Sequence, residues 1–371
     1  LGVADAEVLL TALLTPDVKG IVERWRGREP EELITHRLLA KRFRKSPLDP
    51  AVAIRVSRVV WQSLRRRRPL RLMIPMGGYK SPSSPEHPSA GWAELFAVAG
   101  FCELAAPICA VHPPGVVVDF SSDEALVPLF TGAPPKVLDD YRSAFDEILK
   151  FAGGYQPGNL VLRQSFVRDD YDVAALIRRL KVLGAELESE WFPALPAAEQ
   201  ERLLRAAANN GFQARSPEEL RRSVCEHQAY LTIDERERGH LLYRADTVPV
   251  ALRRGLPGWL HLGANSRSVT QFWIGSGVVD LTGGRPAAHI LPPRRAAAAL
   301  PRSTRLPYPR PPVPGLARLP VLAYGETRHS TPPRPRRAGQ GVSDDRPFPA
   351  TSRDELELRD VSPVPAVRPG H

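Results

Sequence analysis

The chain has 371 residues, 43% of them hydrophobic and 25% charged, a balance that excludes a collagen-like, coiled-coil or wholly disordered protein. Its formal net charge of +10 is concentrated at one end: residues 291–371 hold 14 Arg, no Lys and 7 Asp or Glu, so the body is only mildly basic and nucleic acid is not implied as its partner. Its three cysteines form no C-x-x-C pair and no Cys/His set at zinc spacing, which gives no metal-site motif and fits a reducing compartment.

Residues 1–70 read as helical. Apolar residues recur near a 3.6 period over 6–14 and 18–25, and again over 50–65. Asp49 before Pro50 has the form of an N-cap followed by proline at the first helical position. That third helix ends in Arg65-Arg66-Arg67-Arg68, a basic run that complements a helix C-terminus or contacts phosphate. The opening residues carry Asp5 and Glu7 and no basic n-region, so they do not resemble a signal peptide.

From residue 71 the pattern alternates. Residues 71–76 form an apolar strand that stops at Gly77-Gly78-Tyr79-Lys80-Ser81. Residues 89–104 follow as an amphipathic helix, with Trp92, Leu95, Phe96, Ala99 and Cys102 on one face. Residues 116–120 are a valine-rich strand whose continuous apolar run implies burial on both faces. It stops at Ser121-Ser122-Asp123-Glu124. Residues 134–150 make the clearest helix of the chain, with an apolar stripe that includes Tyr141 and Phe145. A third strand over 159–163 and a helix over 170–183 complete a β-α-β-α-β-α series, the signature of a parallel sheet.

Residues 186–226 are helical and charged, with a break at Asn209-Asn210-Gly211. From 230 to 280 short apolar runs, among them 241–243, 259–262 and 271–274, alternate with Gly and Pro and predict a smaller mixed or antiparallel portion. Seventeen prolines fall after residue 290, so 291–371 reads as a Pro/Arg-rich disordered tail, within which 307–314 suits polyproline II and a partner. The predicted fold class is therefore α/β: a Rossmann-like, mostly parallel sheet with flanking helices, a helical N-terminal segment, a smaller mixed C-terminal portion and a disordered tail. The corresponding divisions are 1–70, 71–185 (the core carrying the site), 186–290 and 291–371. The most apolar run, 95–111, is broken by Glu103 and Pro107, so no membrane span is expected and the default location is the cytoplasm.

The chemistry concentrates at the strand ends, where open α/β sheets bind ligands. In the first loop Gly77 and Gly78 permit close backbone approach, and free N–H groups suit an anion. Lys80 there contacts a phosphate or carboxylate, or reacts with a carbonyl if its pKa falls; a tight turn with an exposed lysine is the bland alternative. The loop is neither a P-loop nor a G-x-G-x-x-G turn, so it carries no nucleotide signature. Glu94, in the first turns of the next helix, is a general base or simply a dipole-complementing carboxylate. Asp123 binds an amine or hydroxyl, or caps a turn. Gln164-Ser165 holds the matching position after the third strand. His112 reads as a loop residue, and Trp259, Phe272 and Trp273 as core.

Five pieces of this stretch resemble one family. Tyr79-Lys80-Ser81-Pro82, Ala93-Glu94-Leu95, Pro114-Gly115-Val116, Ser122-Asp123 and Asp140-Tyr141 are similar to the motifs of isonitrile (isocyanide) synthases of the pyoverdine and dityrosine biosynthesis type. The resemblance covers roughly residues 30–155. It departs at Met76-Gly77-Gly78 before the lysine, at Ala93 before the helix glutamate and at Glu124 after the strand-end aspartate. It implies a Rossmann-like core and condensation of an α-amino acid amine with ribulose 5-phosphate as co-substrate, giving an isonitrile without metal or redox cofactor. Lys80, Glu94 and Asp123 would be catalytic, and Gly77, Gly78, Tyr79, Ser81 and Ser122 would bind substrate. Two other functions remain open on the residues alone. One is a different transferase on the same core, with a phosphorylated or nucleotide-linked donor. The other is a non-catalytic protein that binds through the Arg/Pro tail.

Overall fold

The computed structural model describes residues 3–237, 246–252, 259–263, 271–281 and 286–322. Four helices come first: α1 (Val3–Leu14), α2 (Val18–Glu23), α3 (Pro30–Leu38) and α4 (Pro50–Arg65). The alternating part is β1 (Leu70–Met76), α5 (Trp92–Val111), β2 (Val116–Ser122), α6 (Val127–Thr131), α7 (Pro135–Gly153) and β3 (Leu160–Phe166). Helices α8 (Val173–Ser189), α9 (Trp191–Ala194), α10 (Ala197–Asn210) and α11 (Pro217–Glu237) follow. The chain then forms β4 (Thr247–Ala251), β5 (Leu260–His261), β6 (Ser276–Asp280), β7 (Ala287–Leu291), α12 (Pro293–Ala299), β8 (Thr304–Pro307) and β9 (Arg318–Leu322).

Strands β1 to β5 make one parallel sheet in the order β3-β2-β1-β4-β5. The register aligns Leu72 with Val118, and Val118 with Leu162. Leu72, Ile74, Val116, Val118 and Phe120 are buried, and so are Met73 and Asp119 on the alternate positions, as strands covered on both faces require. The chain runs outward from β1 to β3 and returns to place β4 on the other side of β1. Strand order therefore reverses between β1 and β4, and the carboxyl end of β1 lies at the switch point where open sheets leave a crevice.

The second sheet is mixed, in the order β7-β6-β9-β8, with β6 and β9 parallel and the outer pairs antiparallel. It packs on α5 through β6 and β7. On its other sides α5 meets the parallel sheet, α7 and helices α1 to α3. Sixteen of its 20 residues are buried as a result. The expected one-sided helix is thus wrong in its pattern: α5 is a central rod enclosed between two sheets. Its length and composition would suit a membrane span, but burial inside the fold accounts for its apolar surface. Close contact is achieved at Gly277 of β6, where a Cβ atom would lie 2.5 Å from the Trp92 backbone carbon.

The boundary expected at residue 291 also shifts. Helix α12 and strands β8 and β9 continue the fold to Leu322, because Leu306, Val313, Leu316, Leu319 and Val321 supply a buried apolar set despite the prolines. The segment 307–314 is no free polyproline arm: it connects β8 to β9, and the Tyr308 N–H donates to the Ala317 carbonyl. Residues 323–371, the rest of the expected tail, and the apolar run 241–243 lie outside the described residues. The Asp49 cap forms as expected, its carboxylate accepting the Ala51 N–H at 2.9 Å with Pro50 in the first turn. His112 is a buried residue at the α5 C-cap, where its Nε2 donates to the Arg68 carbonyl at 2.9 Å.

Candidate functional site

Strand β1 delivers residues 77–81 to the switch point, and consecutive residues there contact different elements. Gly77 lies beneath Trp273, and the Ser81 N–H donates to the Trp273 carbonyl at 2.9 Å. Gly78 has φ +72°, a left-handed conformation natural to glycine, and a Cβ there would stand 2.9 Å from Ser122 Oγ. The ends of β1 and β2 are therefore in contact, as their register from Leu70↔Val116 to Met76↔Ser122 requires.

Lys80 is fully buried and contacts α5 rather than solvent. Its Nζ lies 3.0 Å from both carboxylate oxygens of Glu94 and 3.2 Å from Glu86 Oε2. Glu94 is also fully buried and accepts two further bonds, from the Gly91 N–H at 2.8 Å and from Tyr141 OH of α7 at 3.0 Å. The dipole-complementing reading of Glu94 is present, and the same side chain also pairs with Lys80. It ties down the N-terminus of α5, as an acidic residue at N3 does, and it is the counter-ion of the lysine. The loop behind Lys80 is fixed by His87, whose Nδ1 donates to the Lys80 carbonyl at 2.7 Å.

Opposing effects act on the charge of Lys80. Burial pushes the ammonium down, but Glu94 and then Glu86 outweigh it, so the group titrates above an ordinary lysine. The ion pairing favours the ammonium form of Lys80 over the neutral amine that attack on a carbonyl needs. Glu86 is also raised, which for a carboxylate favours the neutral form. Burial raises it, Lys80 opposes that, and Glu94 raises it again. Two carboxylates thus share one cation, and Glu86, with 22% of its side chain exposed, is the member that meets solvent.

Asp123 is not part of this set. The charges acting on Lys80 are Glu94 and Glu86, whereas the Asp123 charge acts on Tyr79 and Tyr230. Its carbonyl accepts the Leu126 and Val127 N–H groups at 2.7 and 3.2 Å and so begins α6. Tyr79 belongs to the same side: its OH donates to the Asn210 carbonyl at 2.9 Å and its ring packs on Phe212 at 5.0 Å. Burial, followed by Asp123, raises its hydroxyl well above the usual range. Ser81 is buried, sharing a 2.9 Å hydrogen bond with Ser83 Oγ. Gln164 lies within β3, not after it, because the strand runs on to Phe166; its side chain donates to the Arg142 carbonyl at 3.1 Å.

Three contributors escaped sequence reasoning. Tyr141 was visible only as an apolar-stripe and motif residue, and Glu86 sat unnoticed in a Pro/Ser spacer. The signal for Glu86 was its isolation, since it is the sole acidic residue between Lys80 and Glu94. The third is Glu124. It is buried against the β1 loop, with its Cβ 3.5 Å from a Cβ on Gly78, and Arg168 Nη1 stands 3.2 Å from its Oε1. Burial pushes its carboxyl up to about 7 against the opposing Arg168. Ser122 Oγ beside it is buried without a hydrogen-bond partner. Among the described residues no group of three or more His, Cys, Asp or Glu is arranged to hold a metal ion.

No protein-family model matches the chain, and no curated protein matches it. Among solved structures, the fold is similar to the crystal structure of the PvcA protein from Pseudomonas aeruginosa, with a TM-score of 0.53 and 14% sequence identity. The match covers 80% of this chain and 100% of that one. At this identity the likeness is one of fold.

Proposed function

We propose that the chain is a biosynthetic enzyme related to isonitrile synthases, which condenses an α-amino acid amine with ribulose 5-phosphate. The observation that carries this reading is the Lys80–Glu94–Tyr141 set at the carboxyl end of β1. Three residues from separate motif pieces meet there within hydrogen-bond distance. The likeness to PvcA adds support at the level of fold.

Addition of an amine to a ketone needs a proton moved from nitrogen to the carbonyl oxygen, and loss of water needs a second one delivered. Lys80, kept as an ammonium, supplies a proton or stabilises developing negative charge. Glu94 and Glu86 accept protons, and Tyr141 orients Glu94. Gly77, Gly78, Ser81 and Ser122 are assigned to the substrate side, with Asp123 next to Ser122 after the end of β2. Lys80 and Glu94 are inaccessible to solvent, so substrate contact requires movement of the loop 77–81 or of its cover.

The test is incubation of the full chain with proteinogenic amino acids and ribulose 5-phosphate, followed by mass spectrometry. The expected product has lost two hydrogens and gained one carbon at the amino nitrogen. No such product from any amino acid would remove the assignment. Turnover of another sugar phosphate or nucleotide-linked donor would move the chain to a different transferase class. Complete burial of the Lys80–Glu94 pair favours a second reading, in which the pair is a structural clamp. A Lys80→Met/Glu94→Gln double variant separates the two, because a clamp can be replaced by neutral groups without loss of turnover.

A further inference from the structure

The arginine run at the end of α4 gained no role in the reading above. Its surroundings give it one. A cleft of about 330 Å³ opens at the amino ends of β1 and β2, lined among others by Gln62, Arg66, Arg68, Arg71, Val117 and Asp246. This is the opposite end of the sheet from Lys80. The seven residues of β1 separate the two, a span of roughly 20 Å at strand rise.

The backbone presenting these guanidiniums is held at several points. The Arg66 N–H donates to the Gln62 carbonyl at 3.0 Å, continuing the helix. The Arg67 N–H donates to Leu64 O at 3.1 Å and the Arg68 N–H to Ser63 O at 3.0 Å, the paired bonds of a Schellman end. Arg67 fills the left-handed position with φ 49°, where glycine is usual. The Arg68 carbonyl is also gripped by buried His112 at 2.9 Å. Two residues of the run, Arg66 and Arg68, thus face the cleft, while Arg65 stacks on Trp61 with its guanidinium carbon 5.0 Å from the ring centroid.

The charges in the cleft are incompletely matched. Arg71 lies 3.9 Å from Asp119 Oδ2, but that oxygen is already held by Arg163 Nη2 at 2.6 Å. Neither Arg66 nor Arg68 forms an ion pair among the described residues. Asp246 is the single acidic liner against three arginines. Guanidiniums carried on a backbone held in this way suit phosphate oxygens, and a cleft of this size takes a small organic molecule.

We propose that this cleft is a binding site for a small organophosphate, separate from the candidate catalytic site. The arginines take the phosphate, Gln62 takes a polar group of the organic part, and Val117 provides apolar floor. The site does not depend on the isonitrile synthase reading, because none of its residues belongs to the Lys80 set.

The experiment is titration calorimetry on the full chain with AMP, ribose 5-phosphate, pyrophosphate and inorganic phosphate at fixed ionic strength. Two variants are compared, Arg66→Gln/Arg68→Gln and Arg65→Gln/Arg67→Gln. Both remove the same charge, but only the first alters the cleft. At least one organophosphate is expected to bind the wild type, with affinity lowered about tenfold or more by the first variant and much less by the second. Absence of binding overturns the proposal. Equal losses in the two variants overturn it too, since they indicate general attraction to a basic surface. So does inorganic phosphate binding as tightly as its esters, or a single-stranded RNA oligomer binding tightly with both variants impaired. Circular dichroism establishes that both variants are folded.

Discussion

The two ends of the parallel sheet treat charge in opposite ways. At the carboxyl end Lys80 is sealed from water and matched by two carboxylates, with a tyrosine and an N–H group completing the shell of Glu94. At the amino end three arginines line an open cleft with one acidic residue. A buried charge is tolerated only when surrounded by partners, because its desolvation is costly. A solvated cation stays unmatched at little cost and is free to meet a ligand. The difference teaches that the buried end is where substitution damages the fold, and the open end is where it changes binding alone.

The most severe test of that contrast is Lys80→Met. It leaves Glu94 and Glu86 without their cation and is expected to destabilise the protein by about 3–5 kcal/mol, read from denaturant unfolding, together with loss of turnover. Adding Glu94→Gln should restore part of the stability, because the fully buried carboxylate is then neutral and only Glu86, with 22% of its side chain exposed, stays unpaired; a double variant as unstable as the single one would refute the ion-pair account. Gly78→Ala comes next. It combines a left-handed φ with a close contact on Ser122 and should cost about 1–2 kcal/mol, measured in the same way.

Glu124 gives a smaller, pH-dependent effect. Its folded carboxyl titrates near 7, above the ordinary 4.5, so the folded state binds a proton more tightly than the unfolded one. The stability it contributes is present below pH 4.5 and lost as pH rises through 7. Glu124→Gln should therefore raise Tm at pH 8 and leave it nearly unchanged at pH 4; an equal shift at both would exclude the titration as its cause. The smallest effect belongs to the open end. Arg66→Gln/Arg68→Gln should change stability by less than about 0.5 kcal/mol, since both side chains are exposed.

Much of the fold was legible from the sequence. The β1 and β2 segments stood out because strands buried between helices are short apolar runs ended by small residues; β3, at the sheet edge with Val161 exposed, stood out by its place in the alternation. Helix α7 stood out because one face meets water. The errors have physical causes. Helix α5 had no solvent-facing stripe to find, since both sheets cover it. Residues 292–322 looked unfit for a core because prolines crowd them, but short paired strands need few apolar residues, and Leu306, Leu319 and Val321 suffice. In the candidate site, Lys80 and Glu94 were placed by strand and helix boundaries, and they meet. Asp123 follows the equivalent end of β2, and its charge acts on Tyr79 and Tyr230. Glu86 and Glu124 carry no periodic signal at all, and only burial gives them significance.

The position of α5 has a consequence for how the molecule comes apart. One helix forms the inner wall of both sheets, and Gly277 brings β6 against its first turn. Neither sheet can lose its partner without baring an entirely apolar rod. Loss of residues 286–322 should therefore propagate into the parallel sheet. In hydrogen exchange, the α5 amides are expected to open only with global unfolding, at the same free energy as those of β1 and β2.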